Sequence, residues 1–303
     1  MDIAGQLDIK AYMREQATMI ERLLEHSLPA DWDIPQKLRE SMRYSLLAGG
    51  KRLRPILTMA AAQSLGASAD GAALVGAALE LIHTYSLVHD DLPTMDNDDL
   101  RRGKPTNHVV YGEAMALLAG DGLLTHAFYM VSKAGHDGLI APERALRIVG
   151  ELAMYAGPRG MVGGQAADML GEQGITSLAE LEYIHAHKTG DLIVCALRAG
   201  GHAANADELQ LAALEKFGRS IGLAFQIQDD ILDVTGDRGK LGKPLGSDVE
   251  AGKVTYPYLL GLDACRAKVA ELTAEAKQAL YDGQFSQPEP LAALADYMMK
   301  REH

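Results

Sequence analysis

The sequence has 303 residues, of which 48% are apolar but only 5% aromatic, and it carries a formal net charge of −12. That length admits two average domains or one large one. The acidity excludes a general nucleic-acid or acidic-membrane surface and leaves room for a locally basic pocket. Ala, Leu, Met and Glu are plentiful while Val-Ile-Thr-aromatic alternation is nearly lacking, so the expected fold class is all-α.

Helical periodicity runs over 7–26 and breaks at Pro29 and the DWDIP stretch. A second helix fits 36–47 and stops at Gly49 and Gly50, a glycine C-terminal signal. A third starts near Arg54 and Pro55, with proline in its first turn, and ends near Gly66. Residues 70–92 read as one helix of about six turns, stopped by Pro93. Further helices fit 111–135, 142–156, 159–170, 177–198, 207–235, 255–262, 264–282 and 290–301. No linker or shift in composition divides the chain, so 1–303 is expected to be one large domain. Polar, glycine-containing segments at 96–107 and 235–253 each follow a cluster of aspartates, where a lid over a substrate would sit.

Cys195 and Cys265 are about seventy residues apart in no metal-ligand spacing, which reads as buried free thiols in a reducing compartment. The N-terminal MDIAGQLDIK has neither the basic nor the apolar region of a signal peptide. The apolar stretches 72–88 and 114–124 are interrupted by Glu80 and Asp121, short of the ~20 uninterrupted residues of a membrane span. A soluble, cytoplasmic protein is expected.

The chemistry concentrates in two acidic clusters, DDLPTMD at 90–96 and DDILD at 229–233. Aspartates in apolar surroundings are costly unless each charge finds a partner. Asp229 and Asp233 are one helical turn apart and share a face, where like charges repel. A bridging Mg²⁺ turns that repulsion into coordination, and oxygen-only donors suit Mg²⁺ rather than zinc. Asp90 and Asp96 would fall on different faces of an ideal helix, unless Pro93 ends it and the chain turns Asp96 back beside Asp90. Aspartate pairs at helix ends are commonly solvated caps. Two clusters, each preceded by apolar sequence (YSLVH and GLAFQIQ), point instead to opposing walls of a cavity holding hard cations and a phosphate-bearing ligand.

Cations are placed to receive such a ligand. GGKRLRP at 49–55 sets Lys51, Arg52 and Arg54 at a helix N-terminus, itself an anion site. Arg101 and Arg102 follow the first cluster, and Lys188, Lys243 and Lys253 are spread over the second half. Lys104 and Arg238 read as ordinary surface charges. His83 lies seven residues before Asp90, on nearly the same helical face.

GGKRLRP, then HTYSLVHDDLPTMDNDDLRRGKPTNH, then KTG at 188–190, then FQIQDDILDVTGD with Lys243 and Lys253, resembles the trans-isoprenyl diphosphate synthases, most of all the bacterial farnesyl diphosphate synthases. The motifs run from about 49 to 255 in the family's order, and the flanking helices are compatible. The resemblance implies a helical bundle around a central cavity (the isoprenoid synthase fold) and a homodimer. It also implies Mg²⁺-dependent head-to-tail condensation of isopentenyl diphosphate with an allylic diphosphate, with three ions bound. By position, Asp90, Asp91 and Asp96 resemble the first metal motif and Asp229, Asp230 and Asp233 the second, with Asp90, Asp96 and Asp229 expected as direct ligands. Gly50, Lys51, Arg54, His83 and Arg102 match the isopentenyl diphosphate site. Arg101, Lys188, Thr189, Gln226, Lys243 and Lys253 match the allylic site. Lys188, Thr189 and Gln226 are implied to stabilise the carbocation through aimed dipoles, and Gln165 and Asp168 to support the site from behind.

The resemblance also bears on product length. The fifth residue before the first Asp is Tyr85, and an aromatic there is implied to form a floor about 7.5 Å down the helix. Ser86, small and one turn below Asp90, leaves room for a ten-carbon substrate. The implied product is farnesyl diphosphate, with geranyl or geranylgeranyl diphosphate as alternatives. A terpene cyclase would normally carry a different second metal motif. A non-catalytic synthase subunit tends to lose aspartates or basic residues, and both sets are kept here.

Overall fold

The computed structural model describes residues 7–171, 177–235 and 254–300. The chain opens with α1 (Ile9–Glu25), α2 (Gln36–Leu46), α3 (Leu53–Ser64) and α4 (Asp70–Asp90). A small antiparallel hairpin follows, β1 (Leu100–Arg101) with β2 (Lys104–Pro105). Next come α5 (Asn107–Tyr111), α6 (Glu113–His136), α7 (Pro142–Ala156) and α8 (Met161–Gly171). α9 (Leu178–Ile184) runs through a π-helical turn (His185–Gly190) into α10 (Asp191–Ala203). The remaining helices are α11 (Glu208–Thr235), α12 (Tyr256–Leu260), α13 (Leu262–Asp282) and α14 (Glu289–Met299).

α4 is the organising element. Its residues are apolar or small on almost every face, and a helix of that kind has to be buried. α1, α2, α3, α6 and α10 pack around it. Gly76 allows this closeness, because a Cβ there would meet the Pro55 backbone at 3.0 Å. By length and composition both α4 and α6 could span a membrane, but 78% of the α4 window is buried within the protein. Its apolarity therefore serves the core. Glu80, the charge inside that helix, pairs with Arg52 at 2.8 Å, and Arg52 also donates to the Leu46 carbonyl. Arg52 therefore does not join the anion-binding cations expected at 51–54; it neutralises a carboxylate that the core could not otherwise hold.

A smaller apolar cluster of Leu181, Ile227, Ile231, Tyr256, Cys265 and Leu272 fastens α12 and α13 against α9 and α11. Both cysteines are free and buried, as expected.

Three elements depart from the sequence reading. The helix expected over 111–135 is split at Gly112, whose φ of +88° the α-helix cannot continue. The segment 96–107 contains the hairpin, which turns through Arg102 (φ +54°) and Gly103 (φ +73°). Two positive-φ residues in a two-residue loop match the right-handed twist of paired strands. The helix over 177–198 is interrupted by the π-turn, a feature concentrated at functional sites.

Candidate active site

Pro93 ends α4 as its sequence position demands, and the chain folds back so that the Asp96 N–H donates to the Asp90 carbonyl oxygen at 2.8 Å. The two aspartates are thus brought beside each other. Burial, reinforced by the neighbouring charge of Asp96, pushes the Asp90 carboxyl up to about 6 against the pull of Lys188. The ionised carboxylate is thereby costlier than usual, a cost that a cation beside it would lower. Asp91 points elsewhere. It is 3% exposed and takes a two-pronged ion pair from Arg101, with Nε at 2.8 Å and a terminal nitrogen at 2.5 Å. Asp91, expected among the metal ligands, and Arg101, expected on the allylic diphosphate, are thus paired with each other.

A cationic wall faces this end of α4. Gly50, at φ +136°, leaves the space that the Arg102 guanidinium fills, and Arg102 donates to the Gly49 carbonyl. Arg54 and His83 stand in the same group. Burial lowers the Arg54 guanidinium, helped by the charge of Arg102, and Arg54 Nε is buried with no hydrogen-bond partner among the described residues. Burial and then Arg54, Arg102, Arg101 and Arg52 hold His83 well below its ordinary range, so its imidazole is neutral. Lys51 is exposed at the edge. Like charges crowded this closely are a receptor for an anion.

Between these groups lies a cavity of about 520 Å³, lined among others by Arg54, His83, Asp90, Gln165, Lys188 and Thr189. Gly164 on α8 touches the backbone at His187 and Lys188, a contact no larger residue could make. From that turn Lys188 reaches Asp168 on α8 at 2.6 Å. The expected supporting pair thus divides, Gln165 facing the cavity and Asp168 steadying Lys188. Sequence reasoning missed His89, Leu117, Met161, Val162 and Met169, which also line the cavity. The one local hint was glycine: Gly120 on α6 leaves room for the His89 ring, which bonds the Leu117 carbonyl at 3.0 Å.

On α11 the second cluster behaves similarly. Asp229 and Asp233 lie one turn apart and are half-buried. Asp230, 8% exposed, accepts from the Tyr256 N–H at 2.9 Å and has His185 Nε2 at 3.7 Å. Asp230, expected in the second metal motif, fastens the start of α12. Among the described residues no three His, Cys, Asp or Glu side chains form a ready-made metal site. Gln226, Asp229 and Asp233 are not among the lining residues of the 520 Å³ cavity. Lys243 and Lys253 lie outside the described residues.

The polyprenyl synthetase family model matches residues 35–294. The chain belongs to that family. It is 50% identical over 88% of its length to a farnesyl diphosphate synthase of Geobacillus stearothermophilus, covering 89% of that protein. It is 47% identical over 99% of its length to a chloroplastic geranylgeranyl pyrophosphate synthase of Catharanthus roseus, covering 83% of it. A crystal structure of an FPP/GFPP synthase from Zymomonas mobilis superposes with a TM-score of 0.83 at 38% identity, covering 96% of this chain and 99% of that one. The fold is the all-α isoprenoid synthase fold. In this polyprenyl synthetase Tyr85 and Ser86 both border the cavity. Tyr85 is buried with its ring edge-on to His89 at 5.8 Å, and the Ser86 hydroxyl bonds back to the His83 carbonyl. Ser86 is thereby the smaller neighbour directly under Asp90, as helical spacing requires.

Proposed function

We propose that this prenyltransferase condenses isopentenyl diphosphate with dimethylallyl and then geranyl diphosphate, releasing farnesyl diphosphate. The observation that carries the reading is that Arg54 and neutral His83 line one cavity with Asp90, while the charge of Arg102 acts on both. Positive charges held out of water and against one another are relieved by a diphosphate. Next to them a carboxylate pair awaits a cation.

The donor set fits Mg²⁺. Asp90 with Asp96, and Asp229 with Asp233, offer only oxygens, in two pairs instead of one closed cage. Mg²⁺ commonly takes one or two carboxylates and completes its shell with water and substrate phosphate. When bound it would neutralise the allylic diphosphate and make it a better leaving group. The protein's residues do the rest. Gly50, Lys51, Arg54, His83 and Arg102 hold isopentenyl diphosphate. Lys188, steadied by Asp168, faces the allylic diphosphate, and the Lys188 and Thr189 oxygens, with Gln226, direct dipoles at the developing cation. The double bond of isopentenyl diphosphate attacks that cation, and the released diphosphate takes the proton. The apolar side chains of Met161 and Val162 keep water from the same carbon.

The whole of 1–303 acts as one polyprenyl synthetase unit, in the cytoplasm and as a homodimer. Exposed Val109, Val110, Leu117 and Leu118 on α5 and α6 support the dimer, since a second copy would cover them. Incubating the purified chain with Mg²⁺, dimethylallyl and isopentenyl diphosphates and resolving products by length tests the assignment. C15 is expected. Mostly C20 or longer product overturns the product assignment, and a chain inactive by itself favours a non-catalytic subunit. Tyr85→Ala should shift products to C20 and beyond, and an unchanged distribution removes Tyr85 as the floor.

A further inference from the structure

The proposed isopentenyl diphosphate pocket has two walls that are far apart in sequence. One is the Gly49–Gly50–Lys51 loop, which continues directly from α2. The other is Arg102 at the tip of the β1–β2 hairpin. The tip touches the loop through the bond from Arg102 to the Gly49 carbonyl. At its base the hairpin is tied to α2 by one buried amide.

Asn107 is 2% exposed and is the first residue after the hairpin's closing segment. Its Oδ1 accepts from Ser41 Oγ at 2.8 Å, while Nδ2 donates to the Ser41 carbonyl at 2.9 Å and to Ser45 Oγ at 2.8 Å. Both amide hydrogens and the oxygen are used, so the group has one orientation. The Tyr44 hydroxyl adds a bond to the Pro105 carbonyl at 2.7 Å. The hairpin is closed on itself just before this point, with Thr106 Oγ1 donating to the Asp98 carbonyl at 2.7 Å. The hairpin is thus held at two points, by Asn107 at its base and by the Arg101–Asp91 pair beside its tip. A cavity of about 40 Å³ lies between α2, α4 and the hairpin, lined by Ser45, Arg102 and Asn107 among others, so hydrogen bonds bridge where side chains do not fill the space. Hydrogen bonds set the spacing.

We propose that Asn107 is a positioning residue for isopentenyl diphosphate. Through Ser41 and Ser45 it sets the gap between the α2 loop and Arg102. The inference rests on the assignment of Gly50, Lys51, Arg54, His83 and Arg102 to that substrate. The allylic side has a separate anchor, because Arg101 is held to α4 by Asp91.

The two substrates therefore respond differently to loss of the amide. KM for each is measured with the other saturating, in wild type, Asn107→Ala, Arg102→Ala and the double variant. Asn107→Ala should raise KM for isopentenyl diphosphate by about tenfold while changing that for dimethylallyl diphosphate less than about twofold. In the Arg102→Ala background the same change should alter KM for isopentenyl diphosphate by less than about twofold, since the positioned group is gone. Equal rises in both KM values, or a full tenfold effect persisting without Arg102, would overturn the inference. Should Asn107→Ala fail to fold by circular dichroism, Ser45→Ala removes one of the three bonds, and a rise of about threefold for isopentenyl diphosphate alone is expected. An equal shift in both substrates, or none in either, has the same overturning force. A wild-type chain that forms no prenyl product refutes the functional assignment instead, which separates the two failures.

Discussion

The aspartates that close α4 and those near the end of α11 share a spelling but not a geometry. In both, the second residue of the Asp-Asp pair is buried and turned away from its neighbours. Asp91 meets an arginine on the hairpin, whereas Asp230 meets the backbone N–H that begins α12. The outer residues also reach their positions differently. Asp229 and Asp233 share a face because a straight helix repeats nearly every four residues. Asp90 and Asp96 come together only because Pro93 breaks the helix and the chain doubles back. In each cluster one aspartate is thus a fastener, and the outer pair is the one the proposed function assigns to Mg²⁺. The fastener's partner shows what each cluster is built into: a cationic wall at the first, the return of the chain at the second.

That comparison breaks most readily at the outer aspartates. Asp90→Ala and Asp229→Ala should each lower kcat by about 10³-fold in initial-rate assays with saturating Mg²⁺. A loss confined to Asp90 would take the second cluster out of the site. Asp91→Ala should act on stability. It leaves Arg101 only the looser contact with Asp98 at 3.7 Å, at a cost of about 2–3 kcal/mol in urea unfolding, less than for a fully enclosed pair because Arg101 keeps 33% of its side chain exposed. Asp230→Ala should cost less, about 1–2 kcal/mol, because it orphans only a backbone donor, and Asp230→Asn should restore most of it. If Asp230→Asn proved as inactive as Asp229→Ala, Asp230 would be a ligand after all.

A carboxylate far from both clusters gives the smallest effect and the opposite sign of shift. Burial raises Glu151, but hydrogen bonds from His202 and Arg198 outweigh it and bring its carboxyl down to about 2 from 4.5. Its contribution to stability is therefore full above pH 4.5 and is lost as pH falls from there through 2. With solvent screening allowed for, this is worth about 1 kcal/mol. Urea midpoints at pH 5 and pH 3 should differ by less in Glu151→Gln than in wild type. An equal drop in both would mean that the Glu151 network does not govern acid sensitivity.

Much of this protein was legible in its sequence. The helices are local events, written in apolar spacing, in Pro93 and Pro142, and in the glycines after α2, so the all-α fold and most element positions followed from the chain alone. Pro93 even foretold the turn that sets Asp96 beside Asp90. The types of residue in the proposed site were legible too, because clustered aspartates in apolar surroundings need cationic partners.

Which member of each cluster faces the site was not legible. Arg52 and Arg54 sit two residues apart in one basic run, yet one is enclosed with Glu80 and the other borders the cavity. Asp90 and Asp91 are adjacent and have opposite fates. The choice depends on partners tens of residues away: Glu80 on α4, Arg101 on the hairpin, Tyr256 at the start of α12. The π-turn that presents Lys188 likewise lies against Gly164 of α8, where a side chain would not fit. Spacing along a chain decides which residues share a helical face. Only the packing of one helix against another decides what that face meets.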